Sequence, residues 1–199
     1  MTSDRRPEHG LEHAALLVVD VQRDFLPGGS LPVPAGDRVL GPLRACAARC
    51  RAAGVPVLAS RDWHPPAHCS LHAQGGPWPP HCVAGSPGAE FPPALALLQA
   101  GPLLCKGCMP GRDAYSAFDG TGLQRLLQAL QVRRLVVGGL ATDYCVLATV
   151  LDARARGYEV LVLRDAVAAV DVQPGDGACA LARMEAAGAQ LVDSATLLH

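Results

Sequence analysis

The chain has 199 residues, half of them hydrophobic and 18% charged, a globular rather than a disordered composition that fits one domain able to bury a sizeable core. A formal net charge of −1 gives no electrostatic reason to expect nucleic acid or an anionic membrane as a partner. There is no apolar run of spanning length, and eight cysteines without a signal-peptide core read as reduced thiols in a cytoplasmic protein, not as a secreted disulfide scaffold.

Residues 1–13, MTSDRRPEHGLEH, are polar and charged and read as a loose lead-in. The run AALLVVDV, from Ala14, is continuously apolar, the mark of a strand buried on both faces, and it stops at Asp20. Residues 37–53 carry Val39, Leu40, Leu43, Cys46 and Ala47 at helical spacing and end at Gly54, a C-cap. VPVLAS predicts a second strand ending near Ser60. From Arg61 to Pro93 the periodicity dissolves into a stretch rich in Pro, His, Gly and Trp, and loops this long are usually functional. PALALLQ then predicts a short helix, PLLCK a strand, GLQRLLQALQ an amphipathic helix and RRLVVGG a strand. Residues 143–156 read as a helix closed by Gly157, YEVLVLRDAV as a strand, residues 175–187 as a helix and AQLVD as the last strand. Strands alternating with helices imply right-handed crossovers. The expected fold is a three-layer α/β/α domain over residues 1–199, around a mostly parallel, six-stranded, Rossmann-like sheet.

In such folds, sites form beyond the carboxyl ends of the strands. Four polar residues follow predicted strand ends: Asp20, Asp62, Lys106 and Cys145. A carboxylate closing a buried strand is partly desolvated, which raises its pKa and makes Asp20 a usable base; the plainer reading is a structural Asp. Asp24, close by, reads as a turn residue. Cys145 follows the strand RRLVVGG at the mouth of a predicted helix, where the helix dipole would stabilise a thiolate. A buried packing cysteine is the alternative. Lys106 beside a carboxylate and a thiol would favour their anionic forms; alone it reads as a surface lysine at a strand end.

The other seven cysteines compete weakly. Cys46 and Cys50 lie at i, i+4 on a helix and read as packing, and Cys179 lies in another helical pattern. Cys69 and Cys82 lie in the histidine-rich loop. Cys105 and Cys108 form a CxxC, CKGC, compatible with a redox or metal pair, but no second pair stands at zinc-finger spacing. The loop SRDWHPPAHCSLHAQGGPWPPHCV holds Asp62, His64, His68, His72 and His81. A carboxylate with imidazoles suits a borderline divalent ion such as zinc, manganese or iron. Scattered histidines in a solvated loop are the alternative.

The stretches VDVQRDFLPGGSLPV, SRDWHPPAH, WPPHCVAGSPGAEF, KGCMPGRDAYSAFDG and VVGGLATDYCVLATVLDARARGYEV, in this order over almost the whole chain, resemble the nicotinamidase (pyrazinamidase) branch of the isochorismatase-like cysteine hydrolase family. The resemblance implies the isochorismatase-like fold and hydrolysis of nicotinamide to nicotinate and ammonia. It implies a catalytic triad of Asp20, Lys106 and Cys145, and one divalent metal, zinc in the first instance, held by Asp62, His64 and His81. His68 is not counted among the ligands. Phe25, Trp78 and Tyr115 match aromatic residues that frame the substrate ring, and Leu140-Ala141 matches the position of a cis peptide bond shaping an oxyanion hole. Trp63, with Trp78, flanks the ligand-bearing segments and is expected to help shape a flat pocket. Arg23 and Cys108 depart from the common pattern without touching a triad position. Two rivals stay open: another amide or vinyl-ether hydrolase of the same family, and a non-catalytic binding member of the fold. A small-molecule substrate is the expected partner, with no nucleic acid and no membrane; self-association stays open.

Overall fold

The continuous apolar run at Ala14–Val19 forms strand β1, and all six of its residues are buried. That is what a strand covered on both faces requires. The computed structural model of the chain describes residues 11–198. Most of the expected lead-in, residues 1–10, lies outside the described residues.

Five further strands follow: β2 (Val57–Asp62), β3 (Leu103–Lys106), β4 (Arg134–Leu140), β5 (Glu159–Ala168) and β6 (Gln190–Val192). They form one sheet in the order β3-β2-β1-β4-β5-β6, and all five pairings are parallel. The order reverses at β1, which pairs with β2 on one side and β4 on the other. This places the crevice of a doubly wound sheet at the carboxyl ends of β1 and β4.

Among the described residues four α-helices, α1 (Leu40–Ala52), α2 (Leu123–Ala129), α3 (Leu147–Ala155) and α4 (Asp176–Ala186), cover the sheet. Successive side chains of a strand point to opposite faces, and β1 shows it. Leu16 and Val18 join a core with Leu43 and Cys46 of α1 and with Leu95 and Leu98, whereas Leu17 and Val19 join a second core with Leu127, Val150 and Met184 of α2, α3 and α4. This is the three-layer α/β/α fold expected from the alternation of elements. No helix among the described residues is long and apolar enough to cross a membrane.

Three local departures matter for the site. Strand β2 runs two residues beyond its expected end at Ser60. Its first residues pair with β1, while Arg61 and Asp62 pair with Cys105 and Lys106 of β3, a long-range partner that prolongs the ladder. The PALALLQ segment is 3-10 rather than α, spanning Pro93–Ala100 with a kink at Leu95. The helix expected over 143–156 is divided: Thr142–Val146 is a π-turn, and only Leu147–Ala155 is α-helical. Wide turns of this kind are frequent at functional sites.

Candidate active site

The carboxyl ends of β1 to β4 bring together the four polar residues singled out in the sequence. Lys106 ends β3, is 1% exposed, and sits at the centre. Its Nζ donates to Asp62 Oδ1 at 2.6 Å, to the Ala114 carbonyl at 3.0 Å and to Cys145 Sγ at 3.3 Å. With Asp20 Oδ2 at 2.9 Å, four acceptors share the three donors of one ammonium group. Asp20 Oδ2 lies 2.9 Å from the same nitrogen and feels its charge, yet it is a buried oxygen with no aligned hydrogen-bond donor among the described residues. Its other oxygen, Oδ1, accepts from Ser60 Oγ at 2.7 Å. Asp20 is therefore held by Ser60 on one side and ion-paired with Lys106 on the other.

The charges of this cluster follow from burial. Burial opposes the Lys106 ammonium, but Asp20 and Asp62 outweigh it and hold its pKa well above the usual lysine value. Burial also works against the Asp62 carboxylate, yet Lys106 and His64 prevail and its pKa is lowered. Asp20 is pushed up by burial more than Lys106 pulls it down. Cys145 is pushed well up by burial, with Asp20 and Asp62 adding to the effect against Lys106. Cys145 lies inside the π-turn, ahead of α3, and it is buried beside two carboxylates, which works against the thiolate that a helix mouth would favour. A thiol beside a carboxylate oxygen is a poised proton donor.

Above the cluster opens a cavity, with Asp62, His81, Ala141 and Cys145 in its wall. Phe25, Trp78 and Tyr115 line it as well. Leu140 does not: its side chain is fully buried in the core beneath, and it reaches the site only through the peptide it shares with Ala141, which is cis. Trp63 is also not in the cavity wall; it carries the Arg61 guanidinium 3.6 Å above its ring. Tyr144 takes the place expected of it, packing edge-on to Trp78 at 5.3 Å and tilted against Tyr115 at 5.8 Å. Its position next to Cys145 was the available signal. Trp78 Nε1 donates to the Tyr115 hydroxyl at 3.2 Å, which ties this aromatic wall together.

Asp62, His64 and His81 each offer a ligand atom within 4.8 Å of the others, and all three residues are buried. The hydrogen bonds suit a cation. His64 Nδ1 meets the Gly107 carbonyl at 3.1 Å and His81 Nδ1 meets the Pro79 carbonyl at 2.8 Å. Each contact puts the proton on Nδ1 and leaves the Nε2 lone pair for a metal. Burial pushes the His64 pKa down, favouring the neutral ring that ligation needs. His68, although stacked on His64 at 4.3 Å, bonds Ser70 Oγ at 2.7 Å and the Arg112 carbonyl at 3.1 Å through its two nitrogens. It has no nitrogen to spare. A second acidic group, Asp20, Asp62 and Cys145, is already bridged by the Lys106 ammonium and suits no further cation.

Two supporting residues carried no separate signal in the sequence. Gln22 is fully buried and clamps the Asp62 backbone: its Nε2 donates to the Asp62 carbonyl at 2.8 Å and its Oε1 accepts from the Asp62 N–H at 2.7 Å. Ser60 holds Asp20, as described. Asp24 does act within a turn, and it also reaches across to accept from the Cys82 N–H at 2.7 Å, beside His81.

The chain is similar to known proteins. The profile of the isochorismatase domain family matches residues 14–196. The nicotinamidase of Escherichia coli (strain K12) is 41% identical over 198 residues, covering 89% of this chain and 93% of the relative. The crystal structure of the pyrazinamidase of Pyrococcus horikoshii in complex with zinc is similar with a TM-score of 0.84 at 43% identity, over 91% of this chain and 99% of that one. The structure of PnC1 from L. infantum in complex with nicotinate gives a TM-score of 0.83 at 38% identity, over 92% and 93% of the two chains.

Proposed function

The chain belongs to the isochorismatase family, and we propose that its reaction is the hydrolysis of nicotinamide to nicotinate and ammonia, within a single domain over residues 1–199. One observation carries the reading. The Lys106 ammonium holds Asp20, Asp62 and the Cys145 sulfur together, so that the buried Asp20 carboxylate stands beside the Cys145 thiol in the wall of an aromatic-lined cavity.

In the mechanism, Asp20 Oδ2 takes the Cys145 proton as the sulfur attacks the amide carbonyl. The N–H groups of Ala141 and Cys145 hold the oxyanion. Asp20 then returns the proton to the departing ammonia, leaving a thioester. Asp20 next takes a proton from water, whose oxygen attacks the thioester carbonyl, and the thiol is restored as nicotinate leaves. Throughout, Lys106 keeps its charge and offsets the negative charge that passes between Asp20 and Cys145. Phe25, Trp78, Tyr115 and Tyr144 confine the flat ring. Asp62, His64 and His81 would hold a divalent ion, zinc in this reading with manganese or iron as the alternatives. When bound, the ion supplies Lewis acidity toward a heteroaromatic ring nitrogen. Reading its eight cysteines as reduced thiols, we place the protein in the cytoplasm.

The test is ammonia release from nicotinamide by purified, zinc-loaded protein, with zinc measured on the same sample. Stoichiometric zinc and nicotinate formation are expected. Metal-loaded protein that releases no ammonia from nicotinamide, but does so from an aliphatic amide or ureido compound, would overturn the substrate assignment.

A further inference from the structure

We propose that Cys105 and Cys108 are a redox-modification site, at which peroxide closes a disulfide across Lys106 and thereby disables the cluster. Neither sulfur has a part in the hydrolysis. The two residues bracket the triad lysine and Gly107, and the chain bends between them at Gly107, whose φ is +61°. Both cysteines line one cavity together with Lys106 and Gly107. Arg61 Nε donates to Cys105 Sγ at 3.2 Å, and Cys108 Sγ folds back over the turn to the Lys106 carbonyl at 3.7 Å. Burial raises the pKa of the Cys108 thiol, the adjacent Cys105 adds to that, and Arg61 opposes it, so one cation bears on both sulfurs. Cys108 is exposed and Cys105 half-buried, whereas Cys145 is buried. Peroxide in solution therefore meets this pair before it meets the nucleophile.

The oxidation balances as follows. The Cys105 sulfur attacks one peroxide oxygen, the O–O bond breaks, and one water leaves, giving a sulfenic acid. The Cys108 sulfur attacks that sulfur, the S–O bond breaks, and a second water leaves with the remaining thiol proton. Two thiols lose two electrons and two protons; one hydrogen peroxide becomes two waters. A dithiol reductant reverses the product by thiol–disulfide exchange.

The consequence follows from what the bridged residues hold. Lys106 Nζ holds Asp62 and Cys145, the Lys106 carbonyl accepts from the Trp63 N–H at 2.9 Å, and the Gly107 carbonyl fixes the His64 ring. The turn is tight: a Cβ on Gly107 would lie 2.5 Å from the His64 ring. A change of path between Cys105 and Cys108 therefore moves the lysine and the His64 anchor together.

The experiment treats the full-length, zinc-loaded protein with a few equivalents of hydrogen peroxide, alkylates the remaining thiols with iodoacetamide, and maps the peptides by mass spectrometry. The activity readout rests on the nicotinamide assignment; the peptide map does not. A Cys105–Cys108 disulfide is expected while Cys145 is still alkylated as a free thiol. Nicotinamide hydrolysis should fall at least tenfold and return with dithiothreitol. The Cys108→Ser variant should keep its activity through the same treatment. The proposal is overturned if Cys105 and Cys108 stay fully alkylated, if Cys145 is oxidised first, or if the disulfide forms with turnover unchanged. Should the reduced protein prove inactive on nicotinamide, the alkylation rate of Cys145 replaces turnover: the disulfide should change it, and an unchanged rate overturns the proposal.

Discussion

Lys106 and Asp62 are register partners on adjacent parallel strands, each the last residue of its strand, and the lysine Nζ donates to the aspartate Oδ1 at 2.6 Å. Asp62 thus belongs to two sets at once. One carboxylate oxygen serves the ammonium of the reacting cluster, and the other lies 3.8 Å from His64 Nε2, toward the histidines. Asp62→Asn is expected to lower zinc retention and also to change the rate at which iodoacetamide labels Cys145. His81→Ala should lower zinc retention and leave that rate near normal. Zinc analysis and alkylation kinetics on both variants check the distinction; equal alkylation rates would separate Asp62 from the reacting cluster.

Cys145→Ala should abolish turnover, a loss of about 10⁴-fold or more, because no other group supplies the thioester. The fold should persist, since the change removes one buried sulfur from a wall already open to a cavity. Ammonia release and thermal melting on the same sample decide it. Retained turnover, with the essential thiol traced to Cys105 or Cys108, would falsify the assignment.

Asp20→Asn should lower the rate by about 10²- to 10⁴-fold, because base and acid are lost in one change. Ser60→Ala should have a smaller effect, about 10-fold to 100-fold, from loss of one hydrogen bond to a charged group. Ser60→Thr, which restores the hydroxyl donor to Oδ1, should recover most of it. Steady-state kinetics on the three variants test the order; Ser60→Ala at full rate would show that Asp20 needs no holder.

Removal of the metal should impair substrates with a ring nitrogen most. A chelator is expected to suppress nicotinamide hydrolysis, with recovery on adding zinc, while benzamide should be a poor substrate with or without metal. If benzamide and nicotinamide turned over equally well, ring anchoring by the Asp62, His64 and His81 site would be untenable.

Gly139→Ala should destabilise the protein by about 2 kcal/mol or more. Gly139 has φ of +133°, and a Cβ there would lie 2.0 Å from the Val19 carbonyl oxygen of β1. The two strands that flank the site could not pair in their present register. Denaturant unfolding measures it; an unchanged midpoint would mean that the β1–β4 contact can relax at no cost.

Most of the layout was legible in the sequence because it is encoded locally. Continuous apolar runs mark strands covered on both faces, helical spacing marks the layers that cover them, and a parallel sheet brings the residues after each strand to one edge. Asp20, Asp62, Lys106 and Cys145 could therefore be placed at one rim before any contact was known. The details that set the chemistry are long-range, and the tertiary structure alone decided them. The length of β2 depends on its pairing with β3, some forty residues later, and that pairing puts Asp62 against Lys106. The surroundings of Cys145 are two carboxylates and an ammonium from the ends of three other strands, and burial with the carboxylates opposes the local preference of a helix mouth for a thiolate. Leu140 and Trp63, expected near the ring, turn away because packing assigns one to the core and the other to Arg61. Which of several neighbouring side chains faces a cavity, and which donor of an ammonium is left for which oxygen, are properties of three-dimensional adjacency. A one-dimensional pattern carries no record of them.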